Sequence, residues 1–105
     1  IIEDTTYTLE KFYHDKHALH GILYDAVFTI HSKGTDASSA IVNLAYHYKG
    51  TDKGFPFAYS LLIKWQLHKN NLVTVETIIT NLSESTIPMM DGWHPYFTFK
   101  RCKIF

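Results

Sequence analysis

A chain of 105 residues is long enough for one domain with a real core, and its ten Lys/Arg against ten Asp/Glu, with no basic block or stripe, exclude the electrostatic footprint of a nucleic-acid binder. Hydrophobic residues at 46% against 19% charged exclude a disordered chain. No apolar run approaches the roughly 20 residues of a membrane-spanning helix, and the opening IIEDTTYTLE lacks the layout of a signal peptide, so a soluble, cytoplasmic protein without a membrane partner is expected.

In chain order, Tyr7 to Tyr13 suits a short strand, and His14 to His20 a loop or a single helical turn. Tyr24 to His31 reads as a strand ended by Ser32-Lys33-Gly34. From Ala40 to Tyr48 strict alternation puts Ala40, Val42, Leu44, Tyr46 and Tyr48 on one face, the pattern of a half-buried strand. Gly50 to Gly54 then supplies a turn with two glycines tolerant of positive φ, and Pro56 removes a ladder donor. Tyr59 to His68 alternates again, Lys69-Asn70-Asn71 is a connection of hairpin length, and Leu72 to Asn81 is the return strand. Apolar residues on both faces of that last strand predict cover on each side, as in two stacked sheets. The expectation is an all-β meander. Its open edges lack the usual protections, and both termini are apolar (Ile1-Ile2, Ile104-Phe105), which predicts a piece of a larger sheet structure.

Seven histidines and sixteen aromatics (seven Tyr, seven Phe, two Trp) are the unusual entries, and Cys102 is the only cysteine. That excludes an intrachain disulfide framework and a cysteine-based zinc cluster. His14, His17 and His20 would share one side of a helix at metal-ligand spacing, but only Asp15 is near enough in sequence to orient the rings, so solvent-exposed loop histidines are the alternative. Asp91-Gly92-Trp93-His94-Pro95-Tyr96-Phe97 is the densest cluster: Gly92 and Pro95 shape the backbone, the three aromatics offer apolar walls, and His94 is placed to titrate against a cavity. The alternative is a buried histidine satisfying backbone groups at a strand end. Gly21 after His20 permits a sharp turn or close approach of a ligand. No GxSxG elbow, phosphate-binding loop or dinucleotide fingerprint is present.

Four motifs in order, Ala18-Leu19-His20-Gly21, Gly54-Phe55-Pro56, Asn81 at the end of its strand and His94-Pro95-Tyr96-Phe97, resemble the aldose 1-epimerase (galactose mutarotase) family, over the central third of a family member. The resemblance implies a large antiparallel β-sandwich and cofactor-free interconversion of α and β anomers of free sugars such as galactose and glucose. By the same resemblance His94 matches the acid that protonates the ring oxygen, and His20 the histidine that hydrogen-bonds the sugar near the reacting centre. Trp93 and Tyr96 are chemically suited to line the cleft, since aromatic faces match the C–H patches of a pyranose. The family's glutamate base and substrate-binding arginine have no counterpart here. Glu76 and Glu84 stand in the wrong context, and Arg101, the only arginine, follows the histidine motifs. The expectation is therefore an enzyme completed by further segments or a second chain, inactive over these residues alone; the rival is a non-catalytic carbohydrate-binding module on the same sandwich.

Overall fold

The computed structural model describes residues 2, 4–11 and 17–98. Four strands form one antiparallel sheet in the order β1-β2-β3-β4: β1 Thr29–Thr35, β2 Ser39–Tyr48, β3 Tyr59–His68 and β4 Val73–Asn81. Among the described residues there is no helix, and so none long and apolar enough to cross a membrane. The all-β antiparallel meander read from the sequence is the fold, a partial β-sandwich in which the described residues supply one open layer.

Alternation decides which face of that layer is covered. Register pairs Tyr48 with Tyr59, Tyr46 with Leu61, Leu44 with Ile63 and Val42 with Trp65, and continues to Ile79, Thr77 and Val75 on β4. These side chains share one face, because residues opposite each other across a ladder point the same way. Tyr48, Tyr59, Leu61 and Ile63 are its buried centre, covered by Ile22, Leu23, Phe28, Phe55 and Ile87 from segments outside the sheet. The other face carries Asn43, Lys64 and Glu76 in one row, with a 3.0 Å ion pair from Lys64 to Glu76.

The turns follow their residue chemistry. Between β1 and β2 the Asp36 carboxylate accepts hydrogen bonds from the Ser38 and Ser39 backbone N–H groups, both at 2.7 Å, and from both serine hydroxyls. Between β3 and β4, Asn71 takes the left-handed conformation at φ 61° and the His68 N–H donates to the Leu72 carbonyl at 2.8 Å. Between β2 and β3 the two glycines act differently. Gly50 has φ +70°, as the sequence suggests. Gly54 has no positive φ; it is needed because the backbone of Leu9 lies against it, at 2.2 Å from where a Cβ would stand.

That contact belongs to a strap, residues 4–11, which crosses the β2–β3 connection. The Asp52 carboxylate accepts from the Gly54 N–H at 2.7 Å and from the Glu10 and Lys11 N–H groups at 3.1 Å. Tyr7 packs edge-on against Phe57 with ring centres 5.4 Å apart.

Three expectations need correction. The first strand is Thr29–Thr35, so Ser32-Lys33-Gly34 lie inside it, and Tyr24 to Phe28 instead forms a turn and irregular chain from which Phe28 packs against Tyr46. Residues 7–11 form no strand, and the N–H groups of Glu10 and Lys11 donate to the Asp52 carboxylate; Tyr13 and His14 lie outside the described residues. β4 is exposed along most of both faces, only Thr77 and Ile79 being partly covered, so no second layer is formed by the described residues. Arg101 and Cys102 lie outside the described residues.

Candidate functional site

His20 sits in a tight turn in which the Gly21 N–H donates to the Ala18 carbonyl at 3.2 Å, and Gly21 adopts φ +65°. Immediately after it Ile22 and Leu23 pack on the buried centre of the sheet, and a second turn from Leu23 to Ala26 closes at 3.1 Å. Lys11 ties this loop to the strap. Its ammonium donates to the Ile22 carbonyl at 2.8 Å, pairs with the Asp25 carboxylate, and lies 4.5 Å from the centre of the Tyr24 ring. The Asp25 hydrogen bond raises the Lys11 pKa, and the same bond lowers that of Asp25. The Tyr24 ring in turn neighbours the His20 imidazole, centroids 6.3 Å apart.

His94 comes from the other end of the chain. Residues 82–98 form no strand, but Ile87 packs on the buried centre and Trp93 meets Trp65 edge-to-face, with ring centres 5.1 Å apart. Trp65 and the buried centre share a face, so the segments carrying His20 and His94 both lie across the same side of the sheet. The His94 imidazole stacks on Tyr96 at 4.9 Å. It is exposed, which replaces the alternative of a buried histidine satisfying a strand end. Trp93 is 48% exposed and Tyr96 88%, so each ring presents a surface to solvent where cavity walls were expected.

Hollows lie on both faces of the sheet among the described residues. One, of about 620 Å³, is lined on the core face by Val42, Trp65, Leu67 and Val73 with Lys33 at its border; the other, of about 540 Å³, includes His31, His47, Ser60 and Thr80 on the opposite face. Neither counts His20 or His94 among its lining residues. Among the described residues no three His, Cys, Asp or Glu side chains gather as metal ligands; His14 of the histidine triplet lies outside them, and His17 and His20 are exposed.

Lys11, Asp52 and Trp65 escaped the sequence reading. Each acts through a contact distant in sequence, and only Asp52, two residues before a glycine in a turn, carried a local signal. Exposed imidazoles near aromatic faces can exchange protons with a bound polyol while the rings stack on its C–H patches. A model of the family described as aldose 1-epimerase matches residues 1–103. Searches of curated proteins and of solved structures each returned no match.

Proposed function

The chain belongs to the aldose 1-epimerase family, and we propose that it forms the central third of an enzyme interconverting the α and β anomers of a free hexose such as galactose or glucose, without a cofactor. In this reading His94 gives a proton to the ring oxygen as the bond from that oxygen to C1 breaks and the anomeric hydroxyl loses its proton to a base. Rotation about C1–C2 then presents the other face of the aldehyde, and both transfers reverse on closure. His20 hydrogen-bonds the sugar near C1, and Trp93 and Tyr96 offer faces to the pyranose. The base and an arginine clamp come from segments or a second chain outside these residues.

The family match along residues 1–103 is what supports this assignment most, and the shared side of the sheet on which both histidine segments lie supports the pairing of His20 with His94. Polarimetry on fresh α-glucose or α-galactose tests it. The 105-residue chain alone is expected to match buffer catalysis, and a longer protein supplying the base to exceed it. His94→Asn in that protein should lower kcat by about 10²–10⁴-fold, the usual contribution of a positioned acid. An unchanged rate removes His94 from its role. The exposed Trp93 and Tyr96 rings suit a second reading, a carbohydrate-binding module without catalysis, which saturable sugar binding with no anomerisation in the longer protein would favour.

A further inference from the structure

The His20 loop has little regular structure of its own: two turns, Ala18 to Gly21 and Leu23 to Ala26, each closed by one backbone hydrogen bond. Ile22 and Leu23 seat it on the buried centre of the sheet, and what ties it to the strap is a side chain from a segment that the family motifs do not include. Lys11 reaches across with three interactions at once: the bond to the Ile22 carbonyl at 2.8 Å, the pair with Asp25, and the cation against the Tyr24 face at 4.5 Å. Its own backbone is held in place by Asp52, at 3.1 Å. Each bond completes a chain running from the β2–β3 connection, through the strap, to the loop, and the Tyr24 ring on which the cation rests stands beside the His20 imidazole.

We propose that Lys11 is a positioning residue for His20, fixing the loop 18–25 through Ile22, Asp25 and Tyr24 so that the imidazole is presented at a set place over the sheet. This rests on the reading of His20 as a sugar-binding histidine, but the ordering of the loop is separable from it. Lysine suits the task because one ammonium offers three donors, enough for a carbonyl and a carboxylate while the stem lies along apolar surface. A neutral isostere of the stem would keep the packing and lose all three polar interactions.

The test has two arms. In the 105-residue chain, NMR relaxation on Lys11→Met should show backbone order parameters for residues 20–25 falling from about 0.85 to below about 0.6, with β2 and β3 unchanged. Asp25→Asn, a substitution at an exposed side chain that cannot unfold the sheet, should loosen the same residues in part. Wild-type order of residues 20–25 in both variants overturns the proposal. In the longer protein, Lys11→Met should lower kcat/KM about tenfold, within the 10²-fold that a 1 Å misplacement can cost. In a His20→Asn background the same substitution should cost nothing further, a non-additivity that general destabilisation does not produce. Full additivity overturns the link to His20. A wild-type protein that never anomerises sugars sinks the family activity, while the relaxation arm still decides whether Lys11 orders the loop.

Discussion

Gly54→Ala is the sharpest probe of how the strap is held. The added Cβ would stand 2.2 Å from the Leu9 nitrogen, 2.3 Å from its Cα and 2.3 Å from the Thr8 carbonyl carbon. All three are backbone atoms, so no rotamer change relieves the clash. Ordinary carbon contacts begin near 3.5 Å, and the strap must therefore retreat by roughly 1 Å or more. The N–H groups of Glu10 and Lys11, already 3.1 Å from Asp52, then leave hydrogen-bonding range. Two hydrogen bonds to a charged acceptor at the low end of about 1.5–3 kcal/mol each, and an edge-on Tyr7–Phe57 contact of about 0.5–1.5 kcal/mol, set the gross loss. Part is returned by the freedom the released strap regains, which leaves an expected destabilisation of about 2–3 kcal/mol. Urea unfolding followed by tryptophan fluorescence measures it, with a lower midpoint at similar slope. Gly34→Ala is the control: nothing lies within 4 Å of its Cβ position, and replacing a strand glycine should be neutral or stabilising by a few tenths of a kcal/mol. A Gly54→Ala midpoint within error of that control would refute the close-approach argument.

Asn71 at φ 61° should tolerate glycine, whereas Asn71→Val should cost at least about 1–2 kcal/mol in the same assay; equal midpoints would contradict the left-handed turn. The Asp36 pKa is lowered from 3.8 to about 2, chiefly by the backbone N–H of Ser38 and then by the Ser38 and Ser39 side chains. A depressed folded pKa gives stability that is present above about pH 4 and lost as pH falls through about 2, so Asp36→Asn should flatten the acid limb of the stability profile. An acid limb of unchanged slope would remove Asp36 as its source. Burial, aided by Tyr48 and Tyr46, raises the Tyr59 pKa from 10.0 to about 12. Because the folded pKa is raised, this stabilisation holds below pH 10 and fades as pH climbs toward 12. Phenolate absorbance should show a late-ionising component that Tyr59→Phe removes; a titration curve that the substitution leaves unchanged at its alkaline end would disprove it.

The strands that could be read from the sequence are those whose β-branched and aromatic residues alternate between turn signals, β4 among them although most of it is exposed. β2, β3 and β4 are bounded almost to the residue, and in β3 the alternation is matched by burial of Tyr59, Leu61 and Ile63 on one face. β1 could not be read this way: TIHSKGT is exposed throughout, and its pairing with β2 depends on backbone groups that any sequence carries. The stretch before it, Tyr24 to Phe28, carried strand-like composition, yet Phe28 turns in to pack over Tyr46 while Tyr24 and Val27 are exposed. At the site, the order of the histidine motifs was legible, as was the turn at Gly21. What the sequence concealed were the supports, Lys11 beneath Tyr24 and Trp65 beneath Trp93, since an anchoring side chain and its target are 13 and 28 positions apart and nothing local marks either.

The register shift between Ile30 and Ser32 reverses the parity of β1 partway along its length. Before it Ile30 lies opposite Leu44, on the core side; after it Lys33 lies opposite Val42 on that same side, and Ser32 turns away to accept a hydrogen bond from Asn43 at 2.8 Å. His31 is thus the extra residue of a bulge, inserted between two ladder positions that would otherwise be neighbours. Excising it would leave Ile30, Ser32 and Lys33 opposite Leu44, Asn43 and Val42 with the same facing and would straighten the strand, whereas a deletion elsewhere in β1 would swing every later side chain to the contrary face. Homologous chains should therefore tolerate a gap at position 31 more readily than at its neighbours.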